Sequence, residues 1–295
     1  MHPHPNFDLL LHSDAELAAH LGAPIVERVT LHQWSLSCVQ RVTLAGGRRL
    51  VYKSQSQPSV ENAFYRAARS PLLIDSEPLW ADDRHSASLT AWLDSSSLDK
   101  MDLPHGDLMA LVEEVVEAIG QIEGDPPAYQ AVGGGAWPRF VDEVLGELAA
   151  LIRSGQFRAT SPLLLTRLDA WSRDPAVLAL AQGESRLIHA DLTGDNLFVV
   201  KGRPLVIDWQ YPRTGPPALD VATLLDFLGI DPRPFTPPAT LNMLFFVRLG
   251  WLTACAARWF PPGSPTYEKQ IARLATQILT PEPAIPPRSA AASRG

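Results

Sequence analysis

The chain has 295 residues, 46% hydrophobic and 19% charged, a balance that excludes a generally disordered chain and allows one large domain or two lobes with separate cores. Its formal net charge of -7 argues against a nucleic-acid binder, which needs clustered Lys and Arg to displace counterions from phosphates. The two cysteines, Cys38 and Cys255, have no metal-like spacing, which excludes a disulfide scaffold and a Cys-rich zinc site and fits a reducing compartment.

The N-terminal residues show no basic segment running into a sustained apolar one, so no secretory signal is expected and the cytoplasm is the default location. Ser13 followed by Glu16 predicts a capping box opening a short helix that stops at Gly22. Strands are expected at Ile25 to Gln33, Leu36 to Leu44 and Arg48 to Ser54, the last two joined as a hairpin by Ala45 to Gly47. Pro58 and Ser59 start a helix through Val60, Phe64 and Ala67, and weaker strands around Pro78 to Trp80 and Leu89 to Leu93 complete a five-stranded sheet. Residues 1–94 thus read as a small antiparallel β lobe with one helix.

The period then changes from two to about 3.6. Asp107 to Gly120 and Arg139 to Ile152 carry apolar stripes opposite acidic faces, and Leu163 to Arg173 with Pro175 to Ala181 reads as one interrupted helical region. Gly133 to Gly135 follow no βαβ unit and read as a flexible connection between helices. Leu241 to Phe260 is long enough to span a bilayer, but a central Arg248 is costly in lipid, so a buried core helix is expected and no membrane partner. Residues 95–280 form a helical lobe, and the Pro-, Ser- and Ala-rich residues 281–295 are expected to be a disordered tail. Trp137, Trp209, Tyr211, Trp251 and Trp259 are assigned mainly to core, and Cys38 to packing.

Inside the helical lobe lies LIHADLTGDNLFVVKGRPLVID, two apolar strands joined by a tight KGRP turn and preceded by a polar loop. The hairpin brings Asn196, at its entrance, toward Asp208, at its exit. An amide oxygen and a carboxylate converging there are hard donors suited to Mg2+, which keeps waters and substrate phosphates as its other ligands. Asp191, on the loop beside them, is placed to accept the proton of an attacking hydroxyl or hold that hydroxyl in line. His189 is read as a hydrogen-bonded strut under the loop and Asp195 as an exposed loop acid.

The order His-x-Asp-Leu-x-x-x-Asn, an apolar hairpin and then Asp resembles the catalytic loop and metal-binding Asp of the kinase fold. In detail HADLTGDN with VIDWQ is similar to the aminoglycoside phosphotransferase family, which includes small-molecule kinases. Protein kinases match less well, since Trp209 and Gln210 follow Asp208 in place of Phe and Gly and no Ala-Pro-Glu segment follows.

The resemblance implies an α+β, two-lobed protein kinase-like fold with ATP, or alternatively GTP, in the cleft. It implies that Lys53 holds the nucleotide phosphates, that Glu61 orients Lys53, and that the turn between the first two strands meets the phosphates through Ser35 and Ser37, that turn being free of glycine. It further implies adenine recognition at Trp92, Leu93 and Asp94 and a bracing role for Asp220. The expected activity is phosphorylation of a hydroxyl on a small molecule, such as an aminoglycoside-like or other hydroxylated antibiotic or metabolite. The alternatives are a catalytically inactive nucleotide-binding pseudokinase and a protein kinase. The residues leave the oligomeric state open.

Overall fold

The computed structural model describes residues 1–280; the expected tail at 281–295 lies outside the described residues. Two-residue strands β1 (His2–Pro3) and β2 (Leu10–Leu11) pair with each other before helix α1 (Asp14–Leu21), whose Ser13–Glu16 capping box and left-handed Gly22 form as the sequence predicts. Strands β3 (Ile25–Trp34), β4 (Ser37–Leu44) and β5 (Arg49–Ser56) follow, then α2 (Glu61–Ala67), β6 (Ser76–Ala81) and β7 (His85–Ala91). They make one fully antiparallel sheet in the order β3-β4-β5-β7-β6. Alternation along β4 buries Cys38, Val42 and Leu44 with Tyr52 and Leu89 against Leu9, Leu11 and Leu17.

Beyond residue 94 come α3 (His105–Gly120), a short strand β8 (Gln130–Ala131) and helices α4 (Trp137–Arg153), α5 (Leu163–Ser172) and α6 (Pro175–Gln182). The interruption expected between the last two is a true break, because the Asp174 side chain accepts the Ala176 N–H at 2.8 Å and Pro175 occupies the first helical position. Strand β9 (Arg186–Ile188) leads to the polar loop, the hairpin β10 (Leu197–Val200) and β11 (Arg203–Val206), strand β12 (Arg213–Gly215) and helices α7 (Ala218–Phe227), α8 (Thr240–Ala254) and α9 (Ser264–Leu279). Lys201 and Gly202 both have positive φ, 51° and 76°, the two-residue turn that matches strand twist and sets Val200 opposite Arg203.

Gly133 departs from expectation. It is a close backbone approach and not a loose joint, since a Cβ there would meet Ser185 Oγ at 2.9 Å and Gly215 Cα at 3.1 Å as the chain turns into α4. The small sheet β8-β12-β9, too short to carry a periodic signal, closes the same junction.

Helix α8 with the π-helical turn Cys255–Trp259 is apolar and long enough to cross a membrane by length and composition, yet 67% of it is buried inside the protein and Arg248 pairs with Asp226 at 2.5 Å. It packs as a core helix. Trp137 and Trp209 are core residues, whereas Tyr211, Trp251 and Trp259 stay half-buried. A middle cluster ties the parts together, with Phe64 of α2 stacked on Trp209 at 4.4 Å and surrounded by Val112, Leu192, Leu197 and Val206. The polar loop and the hairpin rest on this cluster.

Candidate active site

Strand period two places Lys53 opposite Val39 and Ser88 in the sheet, on the face turned toward the second lobe. Its Nζ lies 2.7 Å from Glu61 Oε2 and 2.6 Å from Asp208 Oδ1, so one ammonium bridges β5, α2 and the exit of the hairpin. Burial works to lower the Lys53 pKa, but the Asp208 and Glu61 charges outweigh it and hold the ammonium above its ordinary value. Burial pushes the Glu61 carboxyl up, and Lys53 pulls it back.

A buried amide network fixes this pair. Gln55 Nε2 donates to Glu61 Oε2 at 2.7 Å, while its Oε1 accepts from Ser59 Oγ at 2.6 Å and from Gln210 Nε2 at 2.8 Å. Gln210 O also accepts the Val60 N–H at 3.0 Å, stitching the start of α2 to the segment after Asp208. None of these three polar residues was expected at the site. The available signal was Gln55, two residues after Lys53 and therefore on the same face of the strand.

The polar loop is held from below. Asp220 is fully buried and accepts the N–H of His189 at 2.7 Å and of Ala190 at 2.8 Å. Burial raises its carboxyl to about 7, against the pull of those two N–H groups. The His189 ring sits edge-on to Trp209 at 4.5 Å and its Nε2 donates to Ile207 O at 2.9 Å; burial lowers its pKa to about 4, so it is neutral. Ala190 and Asp208 both adopt left-handed backbone, at φ 66° and 67°, a conformation that costs a non-glycine residue on the order of 1 kcal/mol and persists only where neighbours enforce it.

Asn196 Nδ2 donates to Asp191 O at 3.0 Å, and Asn196 O accepts the Ile207 N–H at 3.0 Å. The loop acid, the entrance Asn and the exit Asp therefore belong to one bonded unit. Asp191 is exposed on the loop but has protein on its other sides. That partial burial, with the Asp208 charge beside it and Arg248 opposing, pushes its carboxyl up to about 6.

Between the lobes runs a cleft of about 400 Å³ lined by Leu31, Val39, Val51, Ile74, Phe198 and Ile207, with Lys53, Glu61 and Asp208 at its polar end and Trp92, Leu93 and Ser95 at the other. Three expected residues stand elsewhere. Asp94 turns outward to an ion pair with Arg49. Ser37 is buried and its hydroxyl accepts the Trp34 indole N–H at 2.7 Å, while Ser35 stands in the two-residue turn above; neither lines the cleft.

Asp208 and Asn196 carry hard oxygen donors of the kind that suit Mg2+, and Asp208 already holds one cation, Lys53. Among the described residues no group of three or more His, Cys, Asp or Glu could hold a metal ion.

The profile of the phosphotransferase enzyme family matches residues 54–255. Solved structures of similar fold include a thermostable mutant of an aminoglycoside phosphotransferase, 17% identical with a TM-score of 0.60 over 90% of this chain and 99% of that one. A spectinomycin phosphotransferase in complex with ADP and spectinomycin is 10% identical, with a TM-score of 0.57 over 91% and 99%. A choline kinase from Streptococcus pneumoniae is 11% identical, with a TM-score of 0.56 over 89% and 97%. No curated protein matches the chain. The fold is thus the α+β, kinase-like one that the loop motif implied.

Proposed function

Because the chain belongs to the phosphotransferase enzyme family, we propose that it transfers the γ-phosphoryl group of ATP to a hydroxyl of a small molecule in the cytoplasm. The observation that carries this reading is the chain of ion pairs Glu61–Lys53–Asp208 at the polar end of a 400 Å³ cleft, beside a carboxylate whose pKa of about 6 suits proton transfer near neutral pH.

In this reading the base of ATP lies between Val39, Val51, Phe198 and Ile207 and meets the backbone near Trp92 and Leu93. Lys53, oriented by Glu61, binds the α- and β-phosphates. Asn196 and Asp208 would hold Mg2+, which would neutralise charge on the phosphate oxygens. Asp191 accepts the proton of the acceptor hydroxyl as its oxygen bonds to the γ-phosphorus and the bond from phosphorus to the β,γ-bridging oxygen breaks, leaving ADP. Rigidity matters because positioning supplies much of such catalysis. Asp220 provides it here by locking the backbone at Ala190, one residue before the base.

The test is incubation with Mg-ATP and a panel of hydroxylated small molecules, read by mass. Gain of one phosphoryl group by an acceptor with the wild type and not with Asp191→Asn supports the reading; nucleotide binding with no transfer to any acceptor would instead mark a pseudokinase.

A further inference from the structure

A second groove of about 410 Å³ opens beside the catalytic loop, between the end of α7 and the facing sides of α8 and α9. Its place next to the chemistry follows from three observations. Gly194 of the loop packs on Phe227 and Leu228, so closely that a Cβ would meet them at 3.1 Å. Arg248, on its wall, is near enough for its charge to act on Asp191. Trp251, one turn along α8, lies 4.5 Å from Tyr211, three residues after Asp208, and 6.4 Å from Trp34 at the hairpin tip of the sheet lobe.

The lining decides what can enter. Its apolar part is Phe245, Trp251, Leu252 and Leu274. Its charged part is Asp226, Arg248 and Arg273, and the single acid is already taken by Arg248 at 2.5 Å. Arg273 is exposed and forms no ion pair among the described residues. In the adjoining groove Asp231 is likewise bound to Arg233 at 2.8 Å. Other acids of this lobe are paired away from the groove: Glu143 and Glu147 of α4 face Arg258, and Glu117 of α3 faces Arg186. A polycation would meet unpaired positive charge in this groove, whereas an oxyanion on an apolar body would be matched by a guanidinium and an indole.

On the phosphotransferase reading above, we propose that the acceptor is a hydroxylated molecule with an apolar or aromatic body and one oxyanion, bound in this groove by Arg273 and Trp251, and that polycationic aminoglycosides are not acceptors.

The experiment uses phenyllactate, its neutral amide and kanamycin, each with Mg-ATP for transfer and with Mg-ADP for binding by calorimetry. Phenyllactate is expected to bind and react at least about tenfold better than its amide, the scale of one charge-assisted contact, and kanamycin is expected to do neither. Arg273→Glu should erase the preference for acid over amide, chiefly through KM, and Arg273→Lys should restore part of it. The exposed position makes loss of folding no explanation for the change, and circular dichroism checks this. Equal binding of acid and amide, transfer to kanamycin, or a preference unmoved by Arg273→Glu overturns the assignment. Preferential binding of phenyllactate with Mg-ADP bound but no transfer to any probe overturns the transferase reading and leaves the groove assignment standing.

Discussion

Replacing Lys53 by Met removes the cation between Glu61 and Asp208 while keeping the length and apolar bulk of the side chain. Asp208, with a side chain 33% exposed, regains solvent; Glu61, at 5%, keeps only the Gln55 amide. A buried charge stripped of its partner costs about 3–5 kcal/mol. Glu61 can escape that cost by taking up a proton. Burial and Asp208 already push its pKa up from 4.5, and Lys53 is what pulls it back, so in the variant it rises further. A carboxyl with a higher pKa folded than unfolded makes the native state bind more protons, so stability is kept at low pH and lost as pH rises through the folded value, by up to about 1.4 kcal/mol per unit. Urea unfolding of Lys53→Met is expected to show a loss of about 3 kcal/mol near pH 8 and much less near pH 5. Lys53→Met with Glu61→Gln should recover most of the loss near pH 8. An equal loss at both pH values, or no recovery in the double variant, would refute the coupling.

For the wild type, kcat/KM should fall about tenfold per unit as pH drops below about 6, because a base must be unprotonated and Asp191 takes up its proton there. A profile flat from pH 5 to pH 8 would remove Asp191 from proton transfer. Asp220→Ala leaves the N–H groups of His189 and Ala190 buried and unpaired, for a loss of about 1–3 kcal/mol each, and kcat should fall by more than about tenfold as Asp191 loses its aim; thermal melts and steady-state kinetics measure the two. Gly202→Val forces a β-branched residue to φ 76° in an open turn, so unfolding should show a loss of about 1–2 kcal/mol while turnover is unchanged.

The sheet was legible because its strands alternate and Gly46 and Gly47 mark the β4–β5 turn; its edges moved by one to four residues, where β3 extends to Trp34, β5 to Ser56 and β7 starts at His85. The hairpin from Asn196 to Asp208 was legible because an apolar run, KG and a second apolar run leave little choice of register. What escaped were groups whose role comes from tertiary burial. Gln55 and Gln210 look like ordinary surface amides until α2 and the segment after Asp208 close over them. The left-handed backbone at Ala190 has no sequence marker and that at Asp208 only a weak one; Ala190 is held there by Asp220. Ser37 went the other way: a hydroxyl near the expected phosphate turn is claimed by an indole three residues before it.

The most direct measurement of the central claim is single-turnover transfer from radiolabelled Mg-ATP, run on the wild type and on Asp191→Asn beside nucleotide-binding titrations of both. The account predicts nucleotide affinities within about threefold of each other and transfer slower by at least about a thousandfold in the variant. Transfer at comparable rates, or nucleotide affinity lost together with transfer, would contradict it.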